Sequence, residues 1–280
     1  MQLNNMNTDI LTIQSLTKGF SRKVINSDGF DENEEYFLIN ELFLNIPEGK
    51  VIALIGGNGA GKTTLFNIIS GFVTPDKGSI KFENNGKATE LIGMAPHKIA
   101  GLGIGRMFQD NHTFPEMSVM ENMLIANPTE SNEKPFNSLF FKKRSRENEA
   151  KKLEKAEKVF NQIFASDSSL WEKRLMPASG ISYGQQRLLG LARLFMHDYQ
   201  LLLLDEPTSG VNPEVIEQIK TLIRRLSDNN QTVFLIEHNL DVVKDIADFC
   251  CYMDKGRIAL MGTPADVIGN EEVRKSYIGL

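Results

Sequence analysis

Apolar residues run along this chain in two rhythms. Val51-Ile52-Ala53-Leu54-Ile55, Leu201-Leu202-Leu203-Leu204 and Thr232-Val233-Phe234-Leu235-Ile236 are unbroken runs, the pattern of strands buried on both faces. Ile10 to Phe20 reads as a strand and turn, and Leu38 to Ile46 resumes an apolar pattern. Between them Arg22 to Tyr36 is polar, with Asp28, Asp31, Glu32, Glu34 and Glu35, and predicts an exposed loop or hairpin tip. Pro47-Glu48-Gly49-Lys50 is a turn into the next strand. The second rhythm is helical. Val215, Ile216, Ile219, Leu222, Ile223 and Leu226 form one face, with Asn212 to cap it and Pro213 suited to its first turn. Thr64 to Ile69 and Arg187 to Met196 read as helices, and the chain turns helical again from Glu116. Glu147 to Phe164 carries a partial stripe of Ala150, Leu153, Phe160, Ile163 and Phe164, and Pro128 to Asn137 reads as irregular. Continuous strands alternating with helices predict an α/β fold with a parallel sheet covered on both faces.

Length and charge narrow the class. The 280 residues allow one large domain or two small ones, and a net charge of −5 argues against the basic face of a nucleic-acid-binding protein. Lys142-Lys143-Arg144 and Arg146 are followed at once by acidic residues, so they read as a solvated helix entry. The two cysteines, Cys250 and Cys251, are adjacent, which disfavours a disulfide and fits small buried residues on a strand in a reducing compartment. No apolar run is long enough to span a bilayer, and the N-terminal residues lack the signal-peptide pattern. Any service to a membrane is therefore expected to run through a partner.

Candidate chemistry sits where the apolar runs end. Gly56-Gly57-Asn58-Gly59-Ala60-Gly61-Lys62-Thr63-Thr64 fits the P-loop pattern G-x-x-x-x-G-K-[ST] between a strand and a helix. Its glycines let backbone N–H groups face phosphate oxygens, Lys62 brings positive charge to the β- and γ-phosphates, and Thr63 offers a hydroxyl to Mg²⁺. The second run ends in Asp205-Glu206, the Walker B pattern of a carboxylate for Mg²⁺ and a second one to orient or deprotonate water. The third ends in Glu237-His238, where the histidine is a candidate γ-phosphate contact. Ile181-Ser182-Tyr183-Gly184-Gln185-Gln186 opens a helix, and spacing alone fits an anion site or an ordinary cap equally.

The chain resembles the ATP-binding subunits of ABC transporters over nearly its whole length. Ser182-Tyr183-Gly184-Gln185 is similar to the family's signature loop, and Gln109 in Arg106-Met107-Phe108-Gln109 matches the Q-loop glutamine. Leu201 to Pro207 matches Walker B with its catalytic glutamate. Ser209-Gly210-Val211-Asn212 sits at the D-loop, His238 matches the switch histidine, and Phe20 falls where an aromatic stacks on adenine. Thr113 to Asn122, Gly210-Val211-Asn212-Pro213, Ile236-Glu237-His238-Asn239 and Ser276-Tyr277-Ile278-Gly279 look like the branched-chain amino-acid importer branch. Urea importers and the lipopolysaccharide-export ATPase lie nearby. Gly57 replaces a usual proline, Asn212 stands where many relatives have Asp, and the insertion Arg22 to Tyr36 is longer than usual.

The resemblance implies a single cassette over 1–280. It has a RecA-like parallel-sheet core and an antiparallel β subdomain at approximately 1–110 and 196–280, and an α-helical subdomain at approximately 111–195. It implies an ATP hydrolase using ATP and Mg²⁺, with Glu206, His238, Gln109 and Lys62 catalytic. Phe20, the P-loop residues Gly56 to Thr64, and Ser182, Gly184 and Gln185 would bind nucleotide, and Thr63, Gln109 and Asp205 would serve the metal. The expected partners are integral-membrane subunits, met around Thr113 to Glu121, and a second cassette, identical or paralogous, whose nucleotide the signature loop covers. The expected location is the cytoplasmic face of the cell membrane. An export-type cassette and a soluble non-transport ATPase are the alternatives.

Overall fold

The structure, a computed structural model, describes residues 9–25, 31–110, 113–126, 142–164 and 171–278. In chain order its elements are β1 (Asp9–Ile25), β2 (Asp31–Pro47), β3 (Val51–Ile55), α1 (Lys62–Ile69), β4 (Lys77–Asn84), β5 (Lys87–Glu90), α2 (Pro96–Gly101), β6 (Ile104–Met107), α3 (Val119–Leu124), α4 (Lys142–Phe164), α5 (Tyr183–Phe195), β7 (Leu201–Asp205), α6 (Pro213–Asp228), β8 (Thr232–Ile236), α7 (Leu240–Ile246), β9 (Phe249–Asp254), β10 (Arg257–Gly262), α8 (Pro264–Gly269) and α9 (Glu271–Ile278). They fall into two units. The first is drawn from Met1–Arg106, Gln200–Pro207 and Ile223–Leu280, the second from Met107–Tyr199 and Thr208–Leu222.

The first unit is built on two sheets. One is six-stranded in the order β10-β9-β3-β8-β7-β6, with β3, β7, β8 and β9 mutually parallel and β10 antiparallel at the edge. Its central strands β3, β7 and β8 are buried along their whole length, as unbroken apolar runs require. The other is a four-stranded antiparallel sheet in the order β2-β1-β4-β5. Leu11, Ile13, Ile39 and Leu42 of that sheet share one core with Leu65, Phe66 and Ile69 of α1 and with Leu203, Phe234 and Ile236 of the parallel strands. Phe66 packs on Phe234 with ring centroids 5.0 Å apart. Cys250 and Cys251 are buried and free on β9, where burial pushes the Cys250 thiol up to about 12 and the Cys251 thiol higher still.

Of the two forms expected for Arg22 to Tyr36, the structure shows the hairpin, with strands longer than the apolar pattern suggests: β1 continues to Ile25, β2 starts at Asp31, and the register sets Phe20 opposite Tyr36, Arg22 opposite Glu34 and Val24 opposite Glu32. β4 pairs with β1 only from Leu11 to Thr17. Beyond that point β1 pairs with β2 alone among the described strands, so a two-stranded arm extends past the sheet with only a weak apolar pattern to mark it in the sequence.

The second unit is helical. Val119, Met120 and Met123 of α3, Ala156, Phe160 and Ile163 of α4, and Leu188, Leu189 and Ala192 of α5 are buried in it. Asn122, fully buried on α3, holds the preceding segment: Nδ2 donates to the carbonyls of Phe114 (2.9 Å), Met117 (3.2 Å) and Ser118 (3.0 Å), and Oδ1 accepts from Phe114 N (2.8 Å). α4 begins at Lys142, ahead of the expected Glu147, and α5 begins at Tyr183, ahead of Arg187. Asn212 caps α6 through Val215 N at 2.9 Å. The stretch Pro128 to Asn137 lies outside the described residues.

Candidate functional site

Three parallel strands of the first unit end side by side. β8 lies between β3 and β7, and the register aligns Leu54 with Ile236 and Ile236 with Asp205. Glu206 N donates to Ile236 O at 3.0 Å and Glu237 N to Leu54 O at 3.4 Å, so the ladder carries past the strand ends into the loops. The P-loop, Asp205-Glu206 and His238 thereby share one edge of the sheet, where open α/β folds place ligands.

The P-loop follows β3 and turns into α1 at Gly61. That residue sits at φ +105°, and a Cβ on it would stand 2.6 Å from Leu38 O. Gly56 is as constrained, since a Cβ there would lie 2.3 Å from Met253 O. Asn58 and Gly59 are exposed, Gly57 and Thr64 half-buried, Ala60 buried, and Thr63 exposed in the first turn of α1. Lys62 is buried, and its Nζ donates to Gly56 O (2.7 Å) and Gly57 O (3.0 Å), folded back over its own loop. Burial holds its pKa below the usual lysine range, opposed by the charges of Glu206 and Asp205.

Asp205 is buried, and its Oδ2 lies 3.5 Å from Arg106 Nη2. Arg106 also donates to Ser70 Oγ at 2.9 Å and has its guanidinium carbon 5.9 Å from the Phe66 ring centre. Burial lowers the Arg106 pKa, with Asp205 opposing. Glu206 is a non-glycine residue at φ +48°, a strained conformation of the kind that clusters at working sites. Its Oε1 lies 3.1 Å from His238 Nε2. The buried Glu237 carboxylate accepts from the backbone N of His238 (3.0 Å) and Asn239 (3.3 Å), fixing the turn that presents the histidine. Thr63 and Asp205 offer a hydroxyl and a carboxylate, hard oxygen donors of the kind Mg²⁺ takes. They are few enough to leave positions for phosphate and water.

Phe20 is half-buried near the outer end of the antiparallel sheet, its ring centre 6.2 Å from that of Tyr36. Gln109, Ser182, Gly184 and Gln185 belong to the second unit. The Gln109 side chain is exposed, while its backbone carbonyl accepts from Nη1 of the fully buried Arg187 at 2.5 Å. Ser182 and Gln185 form a capping box: Ser182 Oγ accepts from Gln185 N (3.2 Å) and Gln185 Oε1 accepts from Ser182 N (3.0 Å). A Cβ on Gly184 would meet Val215 Cγ2 at 2.9 Å. Arg106, Arg187, Asn122 and Glu237 were not legible as functional or supporting residues. Each is a single polar residue whose use depends on packing; only their proximity to recognised motifs marked them.

These observations define an ATP-binding cassette. The chain belongs to the ABC transporter family, whose pattern matches residues 39–209. It is an ATP hydrolase of the transporter-ATPase type, with the P-loop cassette fold expected from its sequence. Among its relatives is BraF of Pseudomonas aeruginosa, a high-affinity branched-chain amino acid transport ATP-binding protein. The two are 36% identical over 86% of this chain and 91% of BraF. LivG of Escherichia coli K12, described in the same words, is 33% identical over the same shares. The crystal structure of the ADP conformation of an ATP-binding cassette from an ABC transporter superposes with a TM-score of 0.74 at 28% identity, covering 98% of this chain and all of that one. Among the described residues no helix is long and apolar enough to cross a membrane.

Proposed function

We propose that this cassette powers an amino-acid importer, hydrolysing ATP with Mg²⁺ at the edge formed by β3, β7 and β8. What supports the reading is the convergence of Lys62, Asp205 and the Glu206–His238 pair on that edge, together with relatives named for branched-chain amino acid transport. The backbone of Gly56 to Thr64 cradles the β- and γ-phosphates, and Lys62 swings from its loop carbonyls onto them. Phe20 stacks on the base. Thr63 and Asp205 would hold the cation, and Gln109 is the third residue proposed to serve it. Mg²⁺ bound there would neutralise charge on the phosphates. Glu206 orients the attacking water and takes its proton, and His238 holds Glu206 through Nε2 and contacts the γ-phosphate.

Ser182, Gly184 and Gln185 cover the nucleotide of a second cassette, a copy or a paralogue, so that ATP favours the closed pair by contacting both halves. Integral-membrane subunits dock around Thr113 to Glu121 and hold the cassette at the cytoplasmic face of the membrane. Two experiments test the reading. Glu206→Gln should lower phosphate release at least 100-fold while ATP binding persists; parent-like turnover refutes the role of Glu206. A tagged pull-down from detergent-solubilised membranes should recover multi-spanning subunits of amino-acid importer type. Recovery with ribosomes, or with no membrane subunit, refutes the transport role.

A further inference from the structure

The extended hairpin carries an aromatic residue that the phosphate chemistry does not use. Tyr36 stands directly opposite Phe20 in the β1–β2 register, which puts both rings on one face of the hairpin. The centroids are 6.2 Å apart with planes tilted by 32°, and Tyr36 remains 41% exposed. Phe37 and Phe43 on the same strand are also exposed, so it is the pairing with Phe20, and not exposure alone, that singles Tyr36 out.

The strand brings this pair to the phosphate site. Between the pairs Lys18–Ile39 and Gly19–Phe37 the register shifts, leaving Leu38 as an extra residue on β2. That bulge turns the Leu38 carbonyl onto the P-loop, so close that a Cβ on Gly61 would stand 2.6 Å from it. Tyr36 is two residues further out along the same strand, about 7 Å at 3.3 Å per residue. The facing strand is pinned at the same level. Asp76 accepts from Gly19 N (2.7 Å) and from Lys18 Nζ (2.9 Å), and Lys18 Nζ lies 5.4 Å from the Phe20 ring centre. The platform is therefore held on both strands before any ligand arrives.

We propose that Tyr36 is a base-recognising residue of this cassette, forming with Phe20 a two-ring platform on which the purine of the bound nucleotide lies. The proposal rests on the nucleotide-site reading above and adds a contact supplied by the long hairpin. A second ring contributes a further stacking contact, and a purine covers two rings better than a pyrimidine does. Tyr36 thus sets base preference, while the P-loop sets affinity for the triphosphate.

The test is equilibrium binding of fluorescent ATP and CTP analogues, and of tripolyphosphate by competition, to the full chain. Tyr36→Ala should weaken the ATP analogue about 3- to 10-fold, the equivalent of one aromatic contact. It should weaken the CTP analogue less and leave tripolyphosphate unchanged; Tyr36→Phe should restore the ATP value. Phe37→Ala, on the opposite face of the same strand with its ring over Gly19, controls for loss of the hairpin and should change none of them. Tyr36→Trp should give fluorescence quenched by ATP at the same midpoint as binding. Unchanged ATP affinity in Tyr36→Ala, or equal weakening of ATP and tripolyphosphate, overturns the proposal. Lys62→Ala separates the two readings. If it abolishes binding while Tyr36→Ala does nothing, only the Tyr36 proposal fails. If Lys62→Ala also binds normally, the P-loop reading fails and takes this one with it.

Discussion

Replacing Asn122 by alanine should loosen the segment on which the membrane subunits are proposed to dock, and the cost can be worked from the bonds lost. Its three acceptors each keep another donor: Phe114 O receives Met117 N (3.2 Å), Met117 O receives Ala178 N (2.8 Å) and Ser118 O receives Asn122 N (3.0 Å). Only Phe114 N–H loses the bond that its position provides. The deletion therefore removes about two net hydrogen bonds at roughly 1 kcal/mol each and strands one donor at roughly 1–3 kcal/mol. The expected total is about 3–5 kcal/mol, or on the order of 6–10 °C in the midpoint for a protein of this size. Circular dichroism with heating reads it directly. Asn122→Asp sharpens the test. Its carboxylate can still accept from Phe114 N but faces three carbonyl oxygens, so its folded pKa should rise above the unfolded value. Stability is then retained below the unfolded carboxylate pKa and lost as pH rises through the folded one. At pH 8 the Asp variant should fall below the Ala variant, and at pH 4 it should recover part of the loss. A drop of under about 2 °C for Asn122→Ala, or identical pH profiles for the two variants, would refute the reasoning.

Two further perturbations bear on the sheet and its loop. Gly56→Ala forces a Cβ to within 2.3 Å of the Met253 carbonyl and must move the P-loop. It should cost about 1–3 kcal/mol of stability and weaken ATP-analogue binding at least tenfold. Gly57→Ala, with nothing within 4 Å of the new Cβ, should leave the unfolding midpoint within about 1 °C. Cys250 and Cys251 should resist alkylation at pH 8: both are fully buried, and a thiol at about 12 is ionised only to about one part in 10⁴ there. Mass spectrometry should show no label on the native chain and two labels after denaturation; rapid native labelling would contradict the burial of β9.

Much of this architecture was legible because it is local. An apolar run buried on both faces has only one rhythm, and a loop that must bend around phosphate spells itself in glycines. The three chemical groups were also placed correctly at strand ends, since a carboxylate after Leu201 to Leu204 has nowhere to go but the sheet edge. The hairpin beyond Thr17 was legible as a loop or hairpin tip but the length of its strands was not, because there β1 pairs with β2 alone among the described strands. Arg187 was invisible for a different reason. Its partner, the Gln109 carbonyl, is 78 positions away, and nothing in a helix-start motif says that its fifth residue will bury a guanidinium. Ser182 and Gln185 show the converse. The sequence left a cap and an anion site open, and the capping box leaves the first turn of α5 ordered whichever task it performs.

Glu206 is where local rules and function conflict most openly. Its side chain reaches His238 only because the backbone turns to φ +48° immediately after β7, a region that costs an L-residue roughly 1–2 kcal/mol. A residue chosen for stability at that point would be glycine. The strain and the side chain can be separated by comparing two variants that both lack the carboxylate. Glu206→Ala keeps the unfavourable φ and Glu206→Gly relieves it, so the glycine variant should be the more stable by about 1 kcal/mol despite its greater flexibility in the unfolded chain. Both should lose turnover to the same extent, because neither can orient water. Chemical denaturation and a phosphate-release assay on the pair read the two effects independently. If alanine were as stable as glycine, the turn would not be strained and another cause would have to be found for its geometry. If glycine retained turnover, the carboxylate would not be the catalytic group, whatever its distance from the histidine.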